Sequence, residues 1–195
     1  MKKILQKNEK VLHQIADEVP VRDIKTPKIK KVLKEMSESL KSQDDGVAIA
    51  APQIGYKLRI FVVSGKILSF VTESSRTRSL SPDASGALPL GSTDCETPRP
   101  RNSVTKDLVF INPKILKLSR DKEWLPEGCL SVRPLYGKTY RSKKAIITAY
   151  DENGKKFERG ASDLLAQIFQ HETDHLNGIL FIDHAKEIKA EIPNK

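Results

Sequence analysis

Residues 162–178 read SDLLAQIFQHETDHLNG, from Ser162 to Gly178. Ser162 is a helix-capping residue type, and Gly178 stands where a helix stops. Between them Leu164, Leu165, Ile168, Phe169, Glu172 and Leu176 recur at helical spacing. The stretch therefore predicts a helix, and that helix carries His171-Glu172-Thr173-Asp174-His175, an H-E-x-x-H sequence. Residues four apart lie on one face of a helix. His171 and His175 share the stripe that includes Leu164 and Ile168, so they are expected to point toward the core, where a metal ion can be enclosed. Two of the four histidines of the chain fall in this one motif, which favours a metal pair over two histidines with unrelated roles.

A third ligand has to come from outside this helix and should be Cys, His, Asp or Glu. Cys129, in Pro126-Glu127-Gly128-Cys129-Leu130-Ser131, is the best candidate. A thiolate and two imidazoles leave a fourth tetrahedral position for water, the arrangement of a catalytic site and not of a closed structural one. A lone cysteine is more often a small buried hydrophobe. The chain has only two cysteines, Cys95 and Cys129, too few to staple a domain of this size. The polar setting of Cys129 favours the ligand role.

The remaining sequence supplies a frame. Its 195 residues suit one domain, 1–195. Hydrophobic residues make up 38% and charged residues 30%, as in a globular protein with a core. No run approaches the roughly 18 apolar residues of a membrane span. The start, MKKILQKNEKVLHQIADEVP, has no secretory apolar run and carries Glu9, Asp17 and Glu18, so a cytoplasmic location and no membrane partner are expected. The net charge of +9 favours anionic partners, but the lysines are spread over the whole chain.

Thr26-Pro27 marks a helix start, and Ile29, Val32, Leu33, Met36 and Leu40 carry that helix to about Ser42. GVAIAAPQIG, Gly46 to Gly55, suits a tightly packed strand or loop. Arg59–Val63 and Leu108–Pro113 read as strands. Ala145–Tyr150 and Lys155–Arg159 flank Asp151-Glu152-Asn153-Gly154 and predict a hairpin turning at Asn-Gly. Residues 69–106 are rich in Ser, Thr, Pro and Arg, show neither helical nor strand period, and read as a disordered insertion within the domain. The fold class is α+β: antiparallel or mixed sheets around the C-terminal metal-binding helix, plus an N-terminal helix.

GVAIAAPQIG at Gly46–Gly55, EGCLS at Glu127–Ser131 and QHETDHLNG at Gln170–Gly178, in this order, resemble the motifs of peptide deformylases. The resemblance implies hydrolysis of the N-formyl group from the initiator methionine of nascent polypeptides, releasing formate. It implies one divalent metal per chain on Cys129, His171 and His175, ferrous iron physiologically, with zinc, nickel or cobalt as replacements. Glu172 would move the proton. Gln53 and the backbone N–H of Leu130 would hold the oxyanion. Glu127 would pair with Arg141 to fix the cysteine loop, and Asp174 would orient a neighbouring group. The substrate would lie along Gly46, Val47, Ala48 and Ile49, with Val47, Ile49, Leu130 and Ile168 lining the methionine pocket. A monomer in a bacterial-type translation system, in transient contact with the ribosome, completes the expectation.

Ala48 departs from the family, which usually has glycine there, and a Cβ would crowd the substrate or strain the chain if φ must be positive. The insertion has no family role to inherit, and the tail after Phe181 is short. Two other readings compete. A metallopeptidase would use His184, downstream of the helix, as third ligand, but leaves EGCLS and APQIG unexplained. A catalytically silent basic binding protein fits the charge but not the complete ligand and base set.

Overall fold

Ile60-Phe61-Val62-Val63 is apolar at every position because both of its faces are covered. In the computed structural model, which describes residues 2–67 and 106–190, these residues form strand β2 (Ile60–Val63), buried throughout. It pairs antiparallel with β1 (Ala48–Ala50) on one side and β3 (Leu108–Leu118) on the other. The sheet continues through β6 (Lys144–Tyr150) to β7 (Lys156–Ser162), in the order β1-β2-β3-β6-β7. The expected insertion, 69–106, lies outside the described residues apart from Lys106, as does Cys95.

Strand alternation divides this sheet between two cores. Ala48, Ala50, Phe61, Val63 and Phe110 point to one side, against Leu165, Ile168 and Phe169 of the C-terminal helix. Ile49, Ile60, Val62 and Ile111 point to the other, against Ile29, Val32, Met36 and Leu40 of helix α1 (Pro27–Lys41). Phe61 and Phe110 stack at 4.5 Å, and Phe169 meets Phe110 edge-on at 5.2 Å, so the helix is seated on an aromatic cluster.

A second sheet, β4-β5-β8, joins β4 (Lys122–Gly128), β5 (Leu135–Ser142) and β8 (Lys186–Ala190). All the ladders of both sheets are antiparallel. Helix α2 (Asp163–Leu176) contacts the first sheet through β1, β3, β6 and β7 and the second through β5. The expected α+β architecture around a C-terminal helix is what the chain adopts. No helix among the described residues is long and apolar enough to cross a membrane.

Local details differ from the sequence reading. Leu164 is 42% exposed and does not share a core stripe with the histidines. Alpha-helical spacing alone could not exclude it, because α2 is enclosed over most of its circumference, with Gln167, Gln170, Glu172 and Thr173 also buried. The hydroxyls of Thr26 and Ser162 do not cap helices; they donate to the Asp23 carbonyl and the Asp163 carboxylate. In the β6–β7 hairpin only Gly154 of the turn residues has positive φ, at 74°. A two-residue Asn-Gly turn would need both residues there. Asp151 instead accepts hydrogen bonds from the N–H groups of Asn153 and Lys155, widening the turn.

The end of α2 follows the sequence closely. Gly178 has φ of 75°, its N–H donates to the His175 carbonyl, and the N–H of Ile179 donates to the Asp174 carbonyl. These bonds close the helix in a Schellman motif. A Cβ at Gly178 would lie 2.7 Å from the backbone carbon of His13, so glycine is required twice over.

Candidate metal centre

β4 delivers its last residues, Glu127 and Gly128, to the face of α2, and Cys129 follows directly. The strand can come this close to β5 because Gly128 has no side chain: a Cβ there would stand 2.5 Å from the ring of Tyr136. The Cys129 carbonyl then accepts from the Val132 N–H at 3.0 Å, turning the chain back. This turn brings Cys129 Sγ within 3.1 Å of His175 Nε2. The ligand atoms of Cys129, His171 and His175 all lie within 4.8 Å of one another.

The ring of His171 is held by Glu127. His171 Nδ1 donates to Glu127 Oε1 at 2.9 Å, which fixes the tautomer and leaves Nε2 available to a cation. Glu127 is in turn gripped by Arg141, whose Nη2 donates to both carboxylate oxygens at 3.2 and 3.1 Å and whose Nε donates at 3.3 Å. Arg141 Nη1 donates to Asp174 Oδ2 at 2.6 Å. The chain Asp174–Arg141–Glu127–His171 therefore ties α2 to β4 and β5 of the smaller sheet. Burial alone would raise the pKa of Glu127, but the hydrogen bond and charge of His171 and the charge of Arg141 outweigh it and hold the carboxyl at about 2.

Glu172 is 4% exposed, beside His171 and His175 on the same helix. Burial, aided by the charge of Glu127 and opposed by that of His171, pushes its pKa up to about 7. Its Oε2 and Nδ1 of His175 have no hydrogen-bond partner among the described residues. Burial and the charge of His171 hold His175 well below its ordinary pKa, keeping it neutral. Burial also disfavours charge on His171, yet hydrogen bonds to Cys129 and Glu127 raise its pKa well above the usual value. A soft sulfur and two imidazoles are a donor set suited to a divalent transition metal, and the residues fit one.

Gln53 approaches from a 3₁₀ turn, Ala51–Ile54, that follows β1. Its Oε1 accepts from the Ala50 N–H at 2.8 Å, so its amide nitrogen faces the centre, 3.1 Å from Ser131 Oγ and 3.4 Å from Cys129 Sγ. A cleft of about 260 Å³ opens over these groups. Gly46, Val47 and Ala48 form one wall, Leu130 another, and Ile168 of α2 part of the floor.

Ile49 is the exception to the expected pocket. It is fully buried against α1, because in a strand it must point away from the side that Ala48 and Ala50 share. Ala48 has an ordinary strand backbone without positive φ, so its methyl introduces no conformational strain. His184 lies 3.9 Å from Asp174, is half-exposed, and stands outside the ligand group, which removes the structural basis of the peptidase reading.

Asp174, expected to orient a neighbouring group, has Arg141 as that group. The hydrogen bond from His171 to Glu127 and Ser131 as partner of Gln53 escaped the sequence reading. So did Leu164, Gln167, Arg133 and Tyr136 as cleft residues. The tyrosine alone had a signal: in β5 it sits at an alternating, outward position beside the obligatory Gly128.

The model of the polypeptide deformylase family matches residues 1–191. The chain belongs to the polypeptide deformylase family. A peptide deformylase of Borreliella burgdorferi is 37% identical over 160 residues, covering 82% of this chain and 74% of the relative. One from Fusobacterium nucleatum subsp. nucleatum is 35% identical over 181 residues, covering 93% and 82%. Among solved structures, a peptide deformylase from Synechococcus elongatus in complex with actinonin superposes with a TM-score of 0.68 at 29% identity, covering 95% of this chain and 79% of that one. A probable peptide deformylase from Synechococcus phage S-SSM7 gives 0.68 at 27% identity, covering 94% and 99%. As a deformylase the protein is a metal-dependent hydrolase that removes the N-formyl group from formylated nascent peptides.

Proposed function

We propose that Cys129, His171 and His175 hold ferrous iron as the physiological metal, and that Glu172, Gln53 and Leu130 carry the chemistry. The observation behind this reading is the convergence of the three ligand atoms within 4.8 Å beside a buried carboxylate whose Oε2 has no partner among the described residues. When bound, the metal lowers the pKa of a water molecule and so provides a nucleophile near neutral pH. Glu172, with a pKa of about 7 before a metal binds, takes a proton from the attacking water and passes it to the leaving nitrogen. The Gln53 amide and the Leu130 N–H donate to the oxygen that gains charge in the transition state. Locking of Gln53 by the Ala50 N–H supports this role, since a donor fixed beforehand costs no reorganisation. Glu127 and Arg141 position His171 and Cys129.

The initiator methionine is the preferred first residue, its side chain received by the apolar cleft around Val47, Leu130 and Ile168. Gly46 and Val47, which lead into β1, and Ala48 at its start offer an edge to the extended substrate, while β1 pairs with β2 on its other side. Residues 1–195 form a single catalytic domain with 69–106 as an insertion, acting as a monomer in the cytoplasm in transient contact with ribosomes. Zinc, nickel or cobalt would replace iron in the same donor set.

The test is formate release from a short formyl-methionyl peptide by anaerobically purified protein reconstituted with ferrous iron or nickel. The parent should turn over. Glu172→Ala should lose roughly a hundredfold or more while still binding one metal per chain. Equal turnover by both would remove Glu172 from the mechanism.

A further inference from the structure

The outer face of the β4–β5–β8 sheet has a composition that burial does not explain. Cross-strand pairing puts Leu125 and Glu127 opposite Thr139 and Gly137 on the inner side. The same register puts Trp124 opposite Tyr140 and Pro126 opposite Lys138 on the outer side. The aromatic residues are thus turned to solvent: Trp124 is 43% exposed and Tyr140 52%, their rings 5.3 Å apart. Lysines surround them. Lys186 Nζ lies 4.7 Å from the Trp124 ring and Lys122 Nζ 5.7 Å from the Tyr140 ring. Lys138 is opposite Lys186, and Lys189 opposite Tyr136. Glu187 also reaches this face and is paired with Lys138 at 2.7 Å.

We propose that this face binds single-stranded RNA, with bases stacked on Trp124 and Tyr140 and phosphates held by Lys122, Lys138, Lys186 and Lys189. Exposed aromatic rings on a sheet, flanked by cations, match both parts of an unpaired nucleotide: the π-face of the base and the charge of the phosphate. A duplex would offer its phosphates but keep its base faces stacked. A protein partner would find few aliphatic anchors here. The choice of RNA over DNA rests on the deformylase reading, because nascent peptides emerge beside RNA. The position fits that use. Tyr136, 38% exposed, lies on the same strand as Tyr140 and also lines the catalytic cleft, about 13 Å along β5. A strand of RNA on this face would leave the cleft mouth open at its end.

Trp124 is the single tryptophan of the chain, so its fluorescence reports on this face alone. The experiment titrates the metal-loaded full chain with a single-stranded 12-nucleotide RNA. Quenching of Trp124 and the anisotropy of the labelled RNA are both read. The expected result is saturable quenching by the RNA and none by inorganic polyphosphate. Affinity should fall about twenty- to fiftyfold between 50 and 200 mM salt, for three or four phosphates engaged. Trp124→Ala and Tyr140→Ala should each weaken binding about tenfold, and Trp124→Phe should retain most of it. All three should leave hydrolysis of a formyl peptide unchanged, which establishes that they fold and keeps this result separate from the fate of the catalytic reading. Undiminished affinity in both alanine variants would overturn the proposal in favour of non-specific attraction by the basic chain. Equal affinity for duplex RNA, or a response only to vesicles rich in phosphatidylglycerol, would overturn it as well.

Discussion

Replacing Glu127 by Gln tests how the centre is held. The substitution keeps shape and an oxygen acceptor for His171 Nδ1–H, but removes the charge that faces His171 and Arg141 at 2.9 to 3.3 Å. Both side chains of the ion pair are buried, Glu127 at 4% and Arg141 at 8% exposure. The depression of the Glu127 pKa from 4.5 to about 2 corresponds to ~3 kcal/mol of folding stability. That agrees with the roughly 3–5 kcal/mol typical of breaking a buried pair. Asp174 still balances Arg141 in the variant, which favours the lower end of that range. The expected loss is thus about 3 kcal/mol in the metal-stripped protein at pH 7, read by urea denaturation. A folded pKa below the unfolded one gives stability that is complete above the unfolded value of 4.5 and disappears as pH falls toward about 2. The parent's advantage over Glu127→Gln should therefore shrink to roughly half by pH 3. In the metal-loaded protein the same change should weaken metal binding about 10- to 100-fold, read by competition with a chromophoric chelator. Equal stability of parent and variant at pH 7, with metal affinity also unchanged, would refute the argument that Glu127 organises the centre through charge.

Gln53→Ala should lower kcat by about 10²- to 10³-fold while metal content stays at one ion per chain; a drop confined to KM would take Gln53 out of transition-state stabilisation. Gly178→Ala should cost at least ~1–2 kcal/mol from left-handed backbone alone, and more from the contact with His13; a melting temperature equal to the parent's would contradict the packing described for the end of α2. Ile49→Ala should lose about 2–5 kcal/mol of stability without altering substrate preference. Val47→Ala, at a position 37% exposed on the cleft wall, should do the reverse. The pair is measured by denaturation and by KM for formyl peptides with different first side chains.

Peptide deformylase motifs made much of the fold and centre legible, but different parts were legible for different reasons. The i, i+4 rule placed His171 and His175 on one face of α2 without any knowledge of the fold, because helix geometry is local. Gly178 announced the helix end because only its positive φ and missing Cβ satisfy that turn. Leu164 misled the reading: period alone marks an apolar face, but a helix enclosed by two sheets has little exposed face left, and Leu164 occupies part of it at the cleft. Ile49 misled it for a related reason. A strand between two helices buries both of its sides, so apolar character no longer tells which side meets the cleft.

The sequence alone determined the donor types of the centre, the helix that carries two of them, and the family to which the whole belongs. These depend on residue identity and on local backbone geometry, which a linear pattern records. Tertiary structure decided the rest. It brought Cys129 within 3.1 Å of His175, directed Glu127 onto His171 Nδ1, and turned the Gln53 amide inward by locking its oxygen on Ala50. It also turned Trp124 and Tyr140 outward, where an apolar count would bury them. Each of those outcomes depends on which strand pairs with which, in what register, and on which side of the sheet a helix settles. Such choices are made by long-range packing, and no short stretch of residues contains them.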